Sequence, residues 1–265
     1  MIPKIIHYCW LSDDPIPHQY QEYIDEWHAI MPEYTIKKWD RNVFNLEDHP
    51  FAKAAFEAKK YAFAADYIRI YALYTEGGIY LDSDVKVIKS FDPFLKYKYF
   101  TSFENHWNES QYNLLLNKYI DNEGNRLPNK DYVLNVGLQA AIIGAESKLP
   151  YIKDMLDFYE ISEFKINNGK TVFVPAPLIH AKFAEKYGFV YKDIFQLLQD
   201  NMVVFPSNYF ATKGINEDEN TCAIHCCAGS WVKTDGIIKQ YLKRNKILMS
   251  IYLKMKIYIL ATIKE

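Results

Sequence analysis

Apolar residues along this chain fall in short runs separated by polar turns, and the runs alternate between strand and helix character. Lys4 to Trp10 predicts a buried first strand, closed by the polar turn Ser12-Asp13-Asp14-Pro15. Pro17 to Ile30 suits a helix with proline near its start, where the missing N–H costs no hydrogen bond. Tyr34 to Trp39 predicts a second short strand. Asp40 to Pro50 reads as loop, and a helix follows from about Phe51 to Lys59. From Tyr61 to Glu76, Phe63, Tyr67, Ile70, Tyr71 and Tyr74 recur at helical spacing, and Gly77 or Gly78 stops the helix. Ile79–Leu81 and Val85–Ile88 then predict two strands flanking a polar turn.

The second half is less regular. Asn105 to Lys130 is rich in polar and turn residues and reads as an excursion. Val133 to Ile143 has strand character, and Leu149–Tyr159 and Pro175–Tyr187 suit helices. Met202–Phe205 and Ala223–Cys226 are short strand candidates. Strands alternating with helices, with no internal repeat, predict one α/β domain on a mainly parallel or mixed central sheet.

Composition narrows this picture. Over 265 residues, 49% are hydrophobic and 24% charged, enough for a sizeable core and too apolar for a disordered chain. A formal net charge of −2 gives no reason to expect nucleic-acid binding. The first residues lack the basic and long apolar regions of a secretory leader, so a cytoplasmic location is expected. Cys9, Cys222, Cys226 and Cys227 are expected to be free thiols. A zinc site from Cys222, His225 and Cys226 lacks paired Cys-x-x-Cys spacing and an obvious fourth ligand.

The chemistry concentrates in Gly77-Gly78-Ile79-Tyr80-Leu81-Asp82-Ser83-Asp84-Val85. Asp82 and Asp84 sit one residue apart after an apolar strand. They offer hard oxygen ligands of the kind Mg²⁺ and Mn²⁺ prefer. Open α/β sheets bind ligands at the carboxyl ends of their strands, so the position suits a metal and nucleotide site. The bland alternative is a pair of solvated turn acids. Asp66 and Arg69 lie three apart on one face of an otherwise apolar helix. They read either as a surface ion pair or as a pair that meets a polar ligand, with Arg69 orienting Asp66. His225 precedes small residues and then Ser230-Trp231. It reads either as a satisfied core histidine or as an additional metal ligand. His7 and Trp10 are similarly open, and Trp10 suits stacking on a base as well as a core.

Together, Ile2-Pro3-Lys4-Ile5-Ile6-His7-Tyr8-Cys9-Trp10, Ala65-Asp66-Tyr67-Ile68-Arg69, the glycine-to-Val85 segment and the late His225 with Ser230-Trp231 resemble the family 32 glycosyltransferases. The resemblance spans roughly residues 1 to 235. It implies a GT-A-like nucleotide-sugar-binding fold, a nucleotide-sugar donor, a divalent metal (Mn²⁺ or Mg²⁺) and retention at the anomeric carbon. It implies that Tyr8 and Trp10 line the nucleotide pocket, and that Asp66 and Arg69 face the donor ribose or sugar. By the same resemblance Asp82, Asp84 and His225 hold the metal, and Ser230 and Trp231 close over the diphosphate. Asn135, Gly137 and Gln139 fall in the region that supports the donor sugar. The expected acceptor is a saccharide or lipid-linked saccharide, with a UDP-sugar favoured as donor and GDP-mannose as a second option. Surface-polysaccharide synthesis is the expected setting.

Residues 237–265 differ in composition: seven basic residues face only Glu265, interleaved with Ile, Leu, Met and Tyr. The run falls short of the ~20 apolar residues of a spanning helix. It predicts a basic amphipathic helix, either docked on the core or attached to an anionic membrane surface. Two other functions fit fewer residues. An Asp-nucleophile phosphatase would usually carry Thr or Val where Lys86 stands, and a carbohydrate-binding module would not need both acids together with Asp66 and Arg69.

Overall fold

The computed structural model describes residues 1–105, 118–167, 170–171 and 173–227. Ser230, Trp231 and the basic segment 237–265 lie outside the described residues. The first strands and helices follow the sequence closely: β1 (Ile5–Cys9), α1 (His18–Ile30), β2 (Thr35–Trp39), α2 (Pro50–Glu57), α3 (Tyr61–Glu76), β3 (Gly78–Leu81) and β4 (Val85–Val87). Then come β5 (Tyr99–Asn105), β6 (Val136–Leu138), β7 (Ile142–Ala145), α4 (Pro150–Ile161), the small hairpin β8 (Ile166–Asn167) and β9 (Lys170–Thr171), and α5 (Ala176–Ala184). The described chain ends with β10 (Gln196–Leu197), β11 (Met202–Phe205), β12 (Phe210–Thr212) and β13 (Ala223–His225).

The central sheet has the order β10-β11-β5-β7-β3-β1-β2, with β6 added onto β5. β1 is parallel to β2 and β3, and β11 is parallel to β5. β7 runs antiparallel to both of its neighbours, β3 and β5. Thus β2, β1, β3, β5 and β11 all point one way and share a carboxyl edge. The expected α/β fold is present, and its sheet is mixed. A second sheet, β12-β13-β4, lies beyond the end of β3.

Strand alternation sorts the core into two layers. Tyr80, Tyr99, Phe103, Ile143 and Val204 pack with α2 to α5 on one face. Ile79, Leu81, Phe100, Ile142 and Val203 pack with Trp27 of α1 on the other. Both faces are covered, which explains why β3 reads as an unbroken apolar run.

Helix α3 ends where the sequence says it should. Gly77 and Gly78 take φ of +68° and +108°, a region that favours glycine. Space is as limiting as conformation. A Cβ on Gly77 would lie 2.7 Å from the Ser147 nitrogen, and one on Gly78 would lie 2.6 Å from the Ile5 oxygen. The glycine pair therefore lets β3 start directly against β1. His7 exploits that approach. Its Nε2–H donates to the Gly77 carbonyl (2.7 Å), and its Nδ1 accepts from the Trp39 indole (3.0 Å). Burial lowers its pKa, so the ring is neutral and both nitrogens are satisfied.

Two expectations need correction. Val133–Ile143 is not one strand but β6 and β7, broken at Gln139 to Ala141. There the Gln139 side chain turns back to accept the Ala141 N–H (3.1 Å). β5 was not anticipated, because Thr101, Ser102 and Glu104 are polar residues buried inside it.

Candidate active site

The Asp-x-Asp turn sits at the carboxyl edge of the sheet. Asp82 leaves β3 directly, and its N–H donates to the Ala141 carbonyl (2.9 Å). The Val85 N–H returns to the Asp82 carbonyl (3.0 Å) and closes the turn. From α1, the Trp27 indole donates to the Val85 carbonyl (2.9 Å), fixing the start of β4. Gln139 enters indirectly: it shapes the loop whose Ala141 carbonyl holds Asp82.

Behind the turn lies a buried charge pair. Arg69 is 3% exposed. Its Nη1 donates to Asp66 Oδ1 and its Nη2 to Asp82 Oδ1, both at 2.9 Å. The guanidinium lies 4.6 Å from the centroid of the Tyr80 ring. The pair is therefore not a surface ion pair. Arg69 spends its fork on two carboxylates, which suits its planar donor geometry, and it orients Asp82 from below. Burial raises the Asp66 pKa to about 6, against the pull of Arg69.

In front of the turn, the second sheet supplies a histidine. β13 pairs antiparallel with β4, placing His225 opposite Val85, and the Cys226 N–H donates to the Asp84 carbonyl (3.1 Å). The His225 Nε2 lies 3.5 Å from Asp84 Oδ1 and 4.0 Å from Asp82 Oδ2. One ligand atom from each of Asp82, Asp84 and His225 falls within 4.8 Å of the others. Two carboxylates are hard donors and the imidazole a borderline one, a set that fits Mn²⁺ and, through the acids, Mg²⁺. Burial alone would lower the His225 pKa. The Cys227 sulfur and the Asp84 carboxylate outweigh it and hold the ring well above its usual range.

His225 thus joins the acids and not a cysteine cluster. The Cys222 thiol donates to the Asn220 carbonyl (3.3 Å) and the Cys226 thiol to the Tyr23 hydroxyl (3.6 Å). All four cysteines are free.

The other expected residues lie nearby to different degrees. The β1–β3 register pairs His7 with Tyr80, so Cys9 comes level with Asp82 and Trp10 just beyond it. Tyr8 is buried, edge-on to Trp27 with ring centroids 5.9 Å apart. Trp10 is half-buried, and its indole donates to the Asp14 carbonyl (2.7 Å). Asn135, at φ +68°, leads into β6. A Cβ on Gly137 would lie 2.5 Å from the Pro177 carbonyl oxygen, so β6 and the start of α5 meet closely.

Three residues near the site were not singled out from the sequence. Tyr20 of α1 has its pKa raised to about 12, by burial first and then by Asp84. Tyr159 of α4 and His180 of α5 are fully buried and interact electrostatically with Arg69. Among the described residues, both His180 nitrogens, the Tyr159 hydroxyl and the Arg69 Nε have no hydrogen-bond partner. Such groups call for ordered water. Nothing in the sequence marks them: Tyr159 and His180 have apolar neighbours on α4 and α5, and Tyr20 lies among polar residues at the start of α1.

Comparison with known proteins bears on this geometry. Residues 17–101 match the model of a glycosyltransferase sugar-binding region containing a DXD motif. Inositol phosphoceramide mannosyltransferase 3 of Schizosaccharomyces pombe is 34% identical over 100 residues, 36% of this chain and 28% of that protein. A mannosyl phosphorylinositol ceramide synthase of Saccharomyces cerevisiae is 33% identical over 104 residues, 38% of this chain and 27% of that protein. The match thus spans just over a quarter of either relative. The solved structure of the PaToxG glycosyltransferase is similar with a TM-score of 0.47 at 16% identity, covering 70% of this chain and 68% of that one. Residues 17–101, the stretch that matches this sugar-binding region, carry α1, the buried Asp66–Arg69 pair and both aspartates of the Asp82-Ser83-Asp84 turn.

Proposed function

We propose that this protein is a metal-dependent retaining glycosyltransferase on a GT-A-like scaffold, moving a hexosyl residue from a nucleotide sugar to a saccharide or glycolipid acceptor. The observation that carries the reading is the convergence of Asp82, Asp84 and His225 at the carboxyl edge of the sheet. Asp84 and His225 would hold the cation with Asp82, while Arg69 keeps Asp82 turned toward it. A cation bound there supplies charge to balance the departing diphosphate. Arg69 contributes a fixed positive charge below the same site. Asp66, 13% exposed at its side chain, accepts from a sugar hydroxyl on its open side. A solvated pair of turn acids would not need a buried arginine beneath one of them.

The names of the fungal relatives favour mannose as the transferred sugar and a phosphoinositol-ceramide glycolipid as a model acceptor. A GDP-linked mannose therefore belongs beside the UDP-hexoses in a donor panel. Work at the cytoplasmic face of a membrane, in surface-polysaccharide or glycolipid synthesis, fits such an acceptor. The test is release of nucleoside diphosphate from UDP- and GDP-sugars, with Mn²⁺, with Mg²⁺ and with chelator. Metal-dependent release from one sugar class supports the proposal. Equal release with chelator, or hydrolysis of simple phosphate esters in preference to nucleotide sugars, overturns it.

A further inference from the structure

His225 has two ring nitrogens, and only one of them faces the acids. Nε2 points at Asp84 and Asp82. Nδ1 lies 3.4 Å from the sulfur of Cys227. The chain bends back just after β13, with Cys227 at φ +47°, in the left-handed region that non-glycine residues seldom adopt. That backbone sets the sulfur against the ring two residues earlier.

We propose that Cys227 is a positioning residue for the metal site, its sulfur accepting the His225 Nδ1–H so that the Nε2 lone pair is free for a divalent cation held with Asp82 and Asp84. The inference rests on the metal reading given above. Its physical basis is general. A neutral imidazole carries one N–H, and a cation can bind only the nitrogen that lacks it. Histidines that bind metals nearly always donate their other N–H to a fixed acceptor, which sets both tautomer and ring orientation. Among the described residues, this sulfur lies within hydrogen-bonding reach of Nδ1. Cys226 does not compete for the role, because its thiol is engaged with the Tyr23 hydroxyl.

The test is Mn²⁺ affinity of the full chain, read by titration calorimetry and by the Mn²⁺ EPR signal, without any substrate. Asp84→Asn serves as the control that removes a ligand. Cys227→Ala removes the acceptor, and Cys227→Asn replaces it with an amide oxygen on a residue that tolerates a left-handed backbone. Thermal melts of the metal-free proteins establish that each variant is folded. Cys227→Ala is expected to bind Mn²⁺ about tenfold more weakly, the usual size of such an effect. Cys227→Asn is expected to recover most of that loss. In the Mg²⁺-loaded wild type, ¹⁵N chemical shifts of His225 are expected to show a protonated Nδ1 and an unprotonated Nε2. Unchanged affinity in folded Cys227→Ala overturns the inference while leaving the metal site standing. So does an equal loss in the Ala and Asn variants, or a protonated Nε2 in the loaded protein. No Mn²⁺ binding by wild type overturns the metal reading and this inference together.

Discussion

His7 and His225 sit on strands near opposite ends of the described chain, and the sequence left both open. Their surroundings separate them. His7 is enclosed between a backbone carbonyl and an indole N–H, which together engage both of its ring nitrogens. His225 stands between a sulfur and two carboxylates, 17% exposed at its side chain. The first holds β3 against β1 beneath the site; the second completes the donor set at its rim. A histidine's role is set by what its two nitrogens meet, and of these partners only Cys227 is close in sequence.

The sharpest way to test that contrast is to remove charge from the rim alone. Asp84→Asn is expected to lower transfer by about 10³-fold, the scale of losing a key electrostatic contact, with an unchanged melting curve. Full activity with chelator present would defeat it. At the other histidine the effect should reverse. His7→Phe leaves the Gly77 carbonyl and the Trp39 indole buried without partners and is expected to destabilise the fold by about 2–4 kcal/mol. The folded fraction should still bind Mn²⁺ as wild type does. Urea unfolding followed by metal titration measures both. If His7→Phe loses metal affinity at wild-type stability, the two histidines have been assigned the wrong way round.

Much of this was legible because the informative segment is local. The helical spacing from Tyr61 to Tyr74, the Gly77-Gly78 stop and the two aspartates lie within one continuous stretch. What the sequence hid is non-local. Nothing in Asp66-Tyr67-Ile68-Arg69 shows that β3 returns Asp82 above the guanidinium, so the pair reads as a surface ion pair as easily as a buried one. The pairing of β13 with β4 is equally invisible, and with it the partner of His225. β5 escaped because the Thr101 hydroxyl donates inside the fold, to the Gln139 and Ile142 carbonyls, and so spoils the apolar alternation. The β6–β7 break depends on one glutamine side chain, which no periodicity reports.

A smaller effect probes the layer between the two histidines. Arg69→Lys keeps the charge but reaches one carboxylate where Arg69 reaches two. It is expected to cost about tenfold in transfer through a misdirected Asp82, as a point charge replaces a fork. Steady-state kinetics with the preferred donor would show it, and an activity equal to wild type would remove Arg69 from the mechanism.

The smallest effect is a pH dependence of stability. Burial lowers the pKa of His7, and burial with Arg69 lowers that of His180 to about 3. Both rings bind protons more readily in the unfolded chain. Their contribution to stability is therefore complete above the ordinary histidine pKa of about 6.5 and is lost as pH falls below it. Each group contributes at most about 1.4 kcal/mol per pH unit in that window. Urea midpoints at pH 7, 6 and 5 should fall more steeply for wild type than for His180→Phe. Parallel slopes would mean that His180 is protonated in the fold.

The pairing of β4 with β13 also bears on how the chain comes to its native state. Val85 and His225 are joined across most of the described sequence, a contact of very long loop closure. Asp66, Arg69, Asp82 and Asp84 come from one stretch of chain, but the imidazole arrives only after every strand of the central sheet has been synthesised. Contacts of such high sequence separation form slowly. A cation held by all three residues would report that β13 has docked on β4, which would make Mn²⁺ binding a probe of that long-range step of folding.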